Sequence, residues 1–271
     1  MWSRIDHMTG PAHDETAPSD VNILMYHSIS HEVGPTSIAP DVFHGQMDIL
    51  KSCGCNVISL SDFAAWHRGK ADLPPRPVVI TFDDGFADFS SAAYPVLKAH
   101  GWGATVFLPT GKLGNVEDWP GANAKPRPLL TWTQVKALAG EGIAFGGHSV
   151  SHANLTQISE NDLHEEIQTC QTDIARHTGQ KPTSFAPPYG HANARVRAEI
   201  AKFYDVSVGT RLNSAGAGCD IFEVPRIEMY YFRDLNRWRS YLQGHGAWYL
   251  RARRLLRGAR QIAARTGGFR A

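Results

Sequence analysis

Short apolar, β-branched runs recur along this chain, each followed by a polar or helix-like stretch. They are Val21–Tyr26, Asn56–Leu60, Val78–Phe82, Ala104–Leu108, Ile143–Gly146, Thr183–Ala186 and Val206–Val208, with a proline-containing Glu223–Met229 closing the series. Helical patterns lie between them. Phe86–His100 is stopped by Gly101, Trp132–Ala139 by Gly140 with Thr131 as N-cap, and Ser159–Thr178 by Gly179. Alternating strands and helices argue for parallel βαβ units, in a closed barrel or an open doubly wound sheet. Eight candidate strands favour the barrel, an α/β fold of the TIM type, whose catalytic groups come from the C-terminal ends of strands. Asp83, Asp84, His148, His152 and His27 all fall at such ends. Residues 111–128, with three glycines and three prolines around Trp119, read as a long loop on the same face.

The 271 residues fit one barrel, and a 42% hydrophobic content is ample for a core. Charge alters this picture at the ends. From Arg233 onward there are ten arginines and one acid, net +9, against 17 basic and 25 acidic residues, net −8, over 1–232. Residues 1–20 carry four acids and two prolines with no apolar core, and read as a flexible tail, not a signal peptide. The expected organisation is therefore a tail (1–20), a catalytic barrel (21–232) and a basic amphipathic helical segment (233–271). Cys53, Cys55, Cys170 and Cys219 include no Cys-x-x-Cys pair, which argues against a metal cluster or a stapled secreted scaffold. No stretch approaches bilayer-spanning length. The expected location is cytoplasmic, peripheral to the inner face of the membrane.

The candidate chemistry sits in three places. Asp83 and Asp84 follow a buried strand, where adjacent carboxylates repel and require a cation or a hydrogen-bond partner. Asp-Gly is also ordinary turn chemistry, so the pair alone decides little. In Gly146-Gly147-His148-Ser149-Val150-Ser151-His152, two imidazoles stand at i and i+4, as metal ligands or as a pair of solvated loop histidines. One carboxylate with two histidines makes the open-sided, three-ligand site that catalytic zinc takes, leaving the second carboxylate free as a base. Together they point to a metal-dependent hydrolase. Pro187-Pro188-Tyr189-Gly190 by itself is a tight turn.

In order and spacing, Thr81-Phe82-Asp83-Asp84-Gly85, His148-Ser149-Val150-Ser151-His152 and Phe185-Ala186-Pro187-Pro188-Tyr189-Gly190 resemble the successive motifs of the polysaccharide deacetylases, carbohydrate esterase family 4 (the NodB homology domain). Leu24-Met25-Tyr26-His27 and Leu130-Thr131-Trp132 add weaker echoes, and the resemblance spans roughly residues 21–230. It implies a distorted (β/α) barrel of seven or eight strands and hydrolysis of N-acetyl groups on amino sugars of a glycan. It implies a divalent metal, commonly zinc, on Asp84, His148 and His152, with Asp83 as base. It also implies that the backbone N–H of Tyr189, in the turn built by Pro188, helps hold the oxyanion. Trp119 is expected beside the substrate.

Two departures from the family stand out. The family often has arginine where Ala186 stands, and Arg226 is a candidate to supply that guanidinium, or else a surface arginine. The family usually has a late histidine as general acid, whereas this chain reads Ile227-Glu228-Met229-Tyr230, leaving His27 as a candidate or a structural residue. The C-terminal segment interleaves Trp238, Tyr241, Trp248 and Tyr249 with arginines, suiting either an anionic membrane surface or a helix packed across the barrel. No base-reading or stacking fold supports nucleic acid. Two further functions remain open: hydrolysis of another linear amide or formamide on the same centre, and an inactive glycan-binding barrel.

Overall fold

The computed structural model describes residues 18–122, 125–246 and 248–256. Seven parallel strands close into a barrel: β1 (Asp20–Tyr26), β2 (Pro77–Phe82), β3 (Thr105–Leu108), β4 (Ala144–Gly147), β5 (Ser184–Phe185), β6 (Val206–Leu212) and β7 (Val224–Glu228). Each pairs with the next in chain order. β1 completes the ring by placing Leu24 beside Ile80 of β2 and beside Ile227 of β7.

The eighth candidate, Asn56–Leu60, stays outside the ring. Only Asn56–Val57 is extended, pairing with the start of β2. The chain turns there because Ser59 opens a helix with a capping box: its hydroxyl accepts from the Asp62 N–H, while the Asp62 carboxylate accepts from the Ser59 N–H.

Helices α1 (Pro40–Ser52), α2 (Leu60–His67), α3 (Tyr94–His100), α4 (Trp132–Gly140), α5 (Glu160–Thr178), α6 (Ala194–Ile200) and α7 (Leu235–Leu242) surround the barrel. The expected helix over Phe86–His100 is shorter and begins with a wide π-turn at Phe89–Ala93, where the Tyr94 N–H reaches the Phe89 carbonyl. Pro95 cannot donate to the helical ladder, and the turn before it widens.

Strand alternation separates two apolar faces. Ile23, Val79, Phe107 and Val208 form one buried cluster inside the barrel. Val78, Ile80 and Phe82, one residue out of phase, join Phe43, Met47 and Leu50 of α1 and Leu97 of α3 in the other. Gly146 lets β4 approach its neighbours: a Cβ there would lie 2.5 Å from Phe107 Cε1 and 2.8 Å from the Ser184 carbonyl oxygen.

The start of the basic C-terminal segment belongs to the core. Trp238 of α7 is fully buried, and its indole N–H donates to the Gln46 carbonyl at 3.2 Å. Tyr249 and Leu250 are buried too, whereas Trp248, Leu255 and Leu256 are exposed. Of the expected N-terminal tail, residues 1–17 lie outside the described residues, and Asp20 is already in β1. Residues 257–271 of the C-terminal segment also lie outside them. Among the described residues, no helix is long and apolar enough to cross a membrane.

Candidate active site

The C-terminal end of β2 delivers two carboxylates in different directions. Continuing the inward phase of Val79 and Thr81, Asp83 faces the barrel axis, its N–H bonded to the Tyr26 carbonyl at 2.9 Å. Arg226 reaches it from β7, also from within. Its two terminal nitrogens each donate to one Asp83 oxygen at 2.7 Å, and Nη1 also donates to the Thr81 hydroxyl at 3.1 Å. The remaining Nε–H is taken by the Gly209 carbonyl at 2.9 Å. This is a planar, two-pronged pair that lysine could not reproduce. His27, at the end of β1, brings Nε2 to 4.0 Å from Asp83 Oδ2.

Asp84 turns away from Asp83 through a left-handed backbone, φ 71°, and meets both histidines of the β4 loop. His148 Nε2 lies 3.2 Å and His152 Nε2 3.3 Å from the same Asp84 Oδ1. Ser149 (φ 63°), His152 (φ 62°) and Tyr189 (φ 61°) share the left-handed conformation. Arg76 is the one other non-glycine residue with positive φ among the described residues, so the strain gathers at this site, as it does where function dictates geometry.

Electrostatics separate the two carboxylates from each other. Burial opposes ionisation of Asp83, but the charge and hydrogen bonds of Arg226 overcome it, and its pKa lies below the ordinary carboxylate value. Asp84 is lowered further, burial being outweighed by hydrogen bonds from His148 and His152. Burial also works against protonated His148, yet Asp84 and Asp83 raise it on balance. For His152, burial and the charge of His148 prevail over Asp84, and its pKa falls.

Asp84, His148 and His152 place one ligand atom each within 4.8 Å of one another, all buried. The donor chemistry fits a cation. His148 Nδ1 lies 2.5 Å from the Ala186 carbonyl, a partner that accepts only from N–H. Neutral His148 therefore points the bare Nε2 lone pair at a carboxylate oxygen, an arrangement that only a proton or a cation between them relieves. Two imidazole nitrogens and one carboxylate match the donor set of a three-ligand zinc site.

Beside His152, which forms part of its wall, lies a cleft of ≈ 780 Å³ lined also by Trp119, Tyr189, Asn154, Gln157 and His191. Trp119 stacks on His152 with ring centres 4.1 Å apart, and Tyr189 meets the same ring edge-on at 4.8 Å. The loop carrying Trp119 is pinned by a buried ion pair. Arg127 donates to both Glu117 oxygens, at 2.7 and 2.9 Å, and its Nη1 bonds Ser37 Oγ at 2.9 Å on the neighbouring loop.

The polysaccharide deacetylase profile matches residues 70–207, a span that holds Asp83, Asp84, His148, His152, Pro188 and Tyr189. The chain belongs to the polysaccharide deacetylase family. It is 25% identical over 213 residues to YxkH of Bacillus subtilis, covering 78% of this chain and 72% of that protein. It is 25% identical over 181 residues to the poly-β-1,6-N-acetyl-D-glucosamine N-deacetylase of Staphylococcus aureus, spanning 64% of this chain and 60% of that relative's length. Among solved structures, the Streptococcus pyogenes deacetylase PplD in complex with acetate superposes with a TM-score of 0.67 at 28% identity, covering 78% of this chain and 92% of that one.

In this deacetylase barrel the candidate site residues gather around the C-terminal end of β2. Asp84, His148 and His152 converge, Asp83 pairs with Arg226, and His27, Pro188, Tyr189 and Trp119 surround them. Arg226 is a lumen residue, 1% exposed, and not a surface arginine. Three contributors were not foreseen: the Thr81 hydroxyl, the Ala186 carbonyl, and the Glu117–Arg127 pair. Thr81 stands two residues before Asp83, so strand alternation alone puts it on the same inner face.

Proposed function

We propose that this chain is a metal-dependent hydrolase that removes N-acetyl groups from amino sugars of a glycan. The observation that carries the reading is the split of roles at the end of β2. Asp84 is engaged with two histidines, while Asp83 remains outside that cluster, ionised, and oriented by Arg226.

Asp84, His148 and His152 would hold the cation, and two nitrogens with one oxygen suit zinc. Bound there, a divalent ion polarises an acetamide carbonyl and lowers the pKa of water, which lets a weakly basic carboxylate accept its proton. The chain's own residues supply the rest. Asp83 accepts the proton from the attacking water, and Arg226 keeps that carboxylate ionised beforehand. The Tyr189 N–H, presented by the left-handed turn after Pro188, faces the developing oxyanion. His27, with Nε2 4.0 Å from Asp83 Oδ2, would pass the proton that Asp83 has taken from water on to the leaving sugar amine. Trp119 and Tyr189 offer aromatic surface to the apolar faces of a sugar ring. The S. aureus relative, named for a poly-N-acetylglucosamine substrate, supports an amino-sugar polymer or its precursor as the substrate class.

The experiment is acetate release from N-acetylglucosamine oligomers, before and after chelation and after zinc is restored. Activity that disappears with chelation, returns with zinc and is lost in Asp83→Asn is expected. Full activity in the chelated protein refutes the metal. No acetate from any N-acetylated glycan, with formate released from a simple formamide, shifts the reading to another linear amide.

A further inference from the structure

The two histidines of the cluster are held by different means. His148 is fixed through its ring, by Nδ1 donating to Ala186. His152 has no such anchor: its Nδ1 is buried without a hydrogen-bond partner among the described residues. Trp119 and Tyr189 hold the ring from its sides, and neither contact sets how far it reaches toward Asp84. That reach is set by the backbone between the histidines, where Ser149 and His152 both have positive φ. Such residues are strained and persist only where their surroundings over-determine them.

The carbonyls of Ser149 and Val150 accept from the Thr110 and Gly111 N–H groups. The donors of the same turn converge on a side chain from outside it. Glu166, on the second turn of α5, accepts with Oε2 from the Val150 N–H at 2.7 Å and the Ser151 N–H at 2.9 Å. Its Oε1 accepts from the Ser151 hydroxyl at 2.6 Å. Two successive backbone N–H groups on one anionic oxygen form an anion-binding nest, here filled by a carboxylate of the protein itself. Ser149 Oγ closes the turn by accepting from the His152 N–H at 3.0 Å.

We infer that Glu166 is a positioning residue of the metal centre: its carboxylate holds the 149–152 turn in the conformation that brings His152 to Asp84, and so sets the affinity for the cation. The inference rests on reading Asp84, His148 and His152 as metal ligands. Without Glu166, the unanchored ring of His152 loses its register with Asp84, while His148 keeps its own support.

The test titrates the metal-free full-length protein with zinc, comparing parent, Glu166→Ala, Glu166→Gln and His152→Ala, and records the visible spectrum of each cobalt-loaded form. Loss of an outer-shell support weakens metal affinity about 10- to 100-fold, and that range is expected for Glu166→Ala, with an altered cobalt spectrum. The melting temperature of the metal-free protein should stay close to that of the parent. Glu166→Gln keeps the shape and one acceptor oxygen, so its loss is smaller and in the same direction. Zinc affinity of folded Glu166→Ala equal to the parent's overturns the inference. If that variant does not fold, parent-like affinity in Glu166→Gln overturns it. Failure of the metal reading shows separately, as a parent that takes up no zinc or a His152→Ala variant that binds as the parent does.

Discussion

Replacing Arg226 by methionine leaves the Asp83 carboxylate inside the barrel with its two-pronged partner gone. Both members of the pair are nearly fully buried, so solvent cannot take over the lost contacts. Removing one partner of a buried pair costs about 3–5 kcal/mol, because a buried charge is left uncompensated. At about 2–4 °C per kcal/mol for a domain of this size, the melting temperature should fall by roughly 6–20 °C. The double variant Arg226→Met/Asp83→Asn no longer buries a bare charge and should recover a large part of that loss. The sign of the pH dependence follows from the same pair. Asp83 titrates below its unfolded value, so its contribution is present in full above the ordinary carboxylate range and disappears as pH falls through the lowered value. Thermal and urea melts of the three proteins, run at neutral pH and repeated toward acid, read all of this. Arg226→Met melting within about 2 °C of the parent, which is under 1 kcal/mol, would refute the reasoning. So would a double variant no more stable than the single one.

Asp83→Asn should bind zinc as the parent does yet turn over at least about 100-fold more slowly, the usual worth of a positioned base; isothermal titration and acetate release separate the two. His148→Ala should lose zinc binding and activity together, and retained zinc in that variant contradicts its assignment as a ligand. Truncation after Phe232 removes Trp238, Tyr249 and Leu250 from the core, so a lowered or lost melting transition is expected; losing one large core side chain costs about 3–5 kcal/mol. Should the full chain bind anionic vesicles, Trp248, Leu255 and Leu256 are exposed apolar groups of the C-terminal segment among the described residues, and Trp248→Ser should weaken that binding without moving the melting temperature. Burial pushes the Cys170 thiol up to about 12, leaving a thiolate fraction on the order of 10⁻⁴ at pH 8. Mass spectrometry after alkylation should find Cys170 unlabelled in the native protein and labelled only in denaturant.

The strands and the metal cluster were legible because both are written in short, contiguous patterns. Val78-Val79-Ile80-Thr81-Phe82 is apolar on both faces, which only a strand buried inside and out demands. Asp84 and the His148–His152 spacing carry their chemistry in residue type. Helix α1 was not legible, since Pro40 at its start and Gly45 in its middle dilute the helical signal. Gly45 stands there for close packing: a Cβ would lie 2.5 Å from Leu235 Cδ1 of α7, a contact no local pattern encodes. Leu60 looked like the end of a strand because Val57-Ile58 precede it, and the capping box of Ser59 and Asp62 prevailed over that short run. Arg226 was recognisable as a candidate only through the absence of arginine at Ala186. Glu166 is indistinguishable in sequence from Glu165 beside it, and its role exists only once α5 packs under the histidine loop.

The closure of the ring on β1 fixes an order of events during synthesis. β1 and β2 can pair soon after they leave the ribosome, but the pairing of β1 with β7 waits for Ile227. Asp83 waits as well, since Arg226 follows it by 143 residues. At about 5–20 residues per second, that delay is roughly 7–30 s. For that interval the growing half-barrel has an open β1 edge and a carboxylate whose burial has no counterion. The last strand seats the guanidinium and closes the sheet in one step. Such long-range closure slows folding and leaves an exposed edge meanwhile. Chains stalled before residue 226 should therefore be the aggregation-prone ones, and those released after Leu250, the last of the buried C-terminal residues described, the ones that fold.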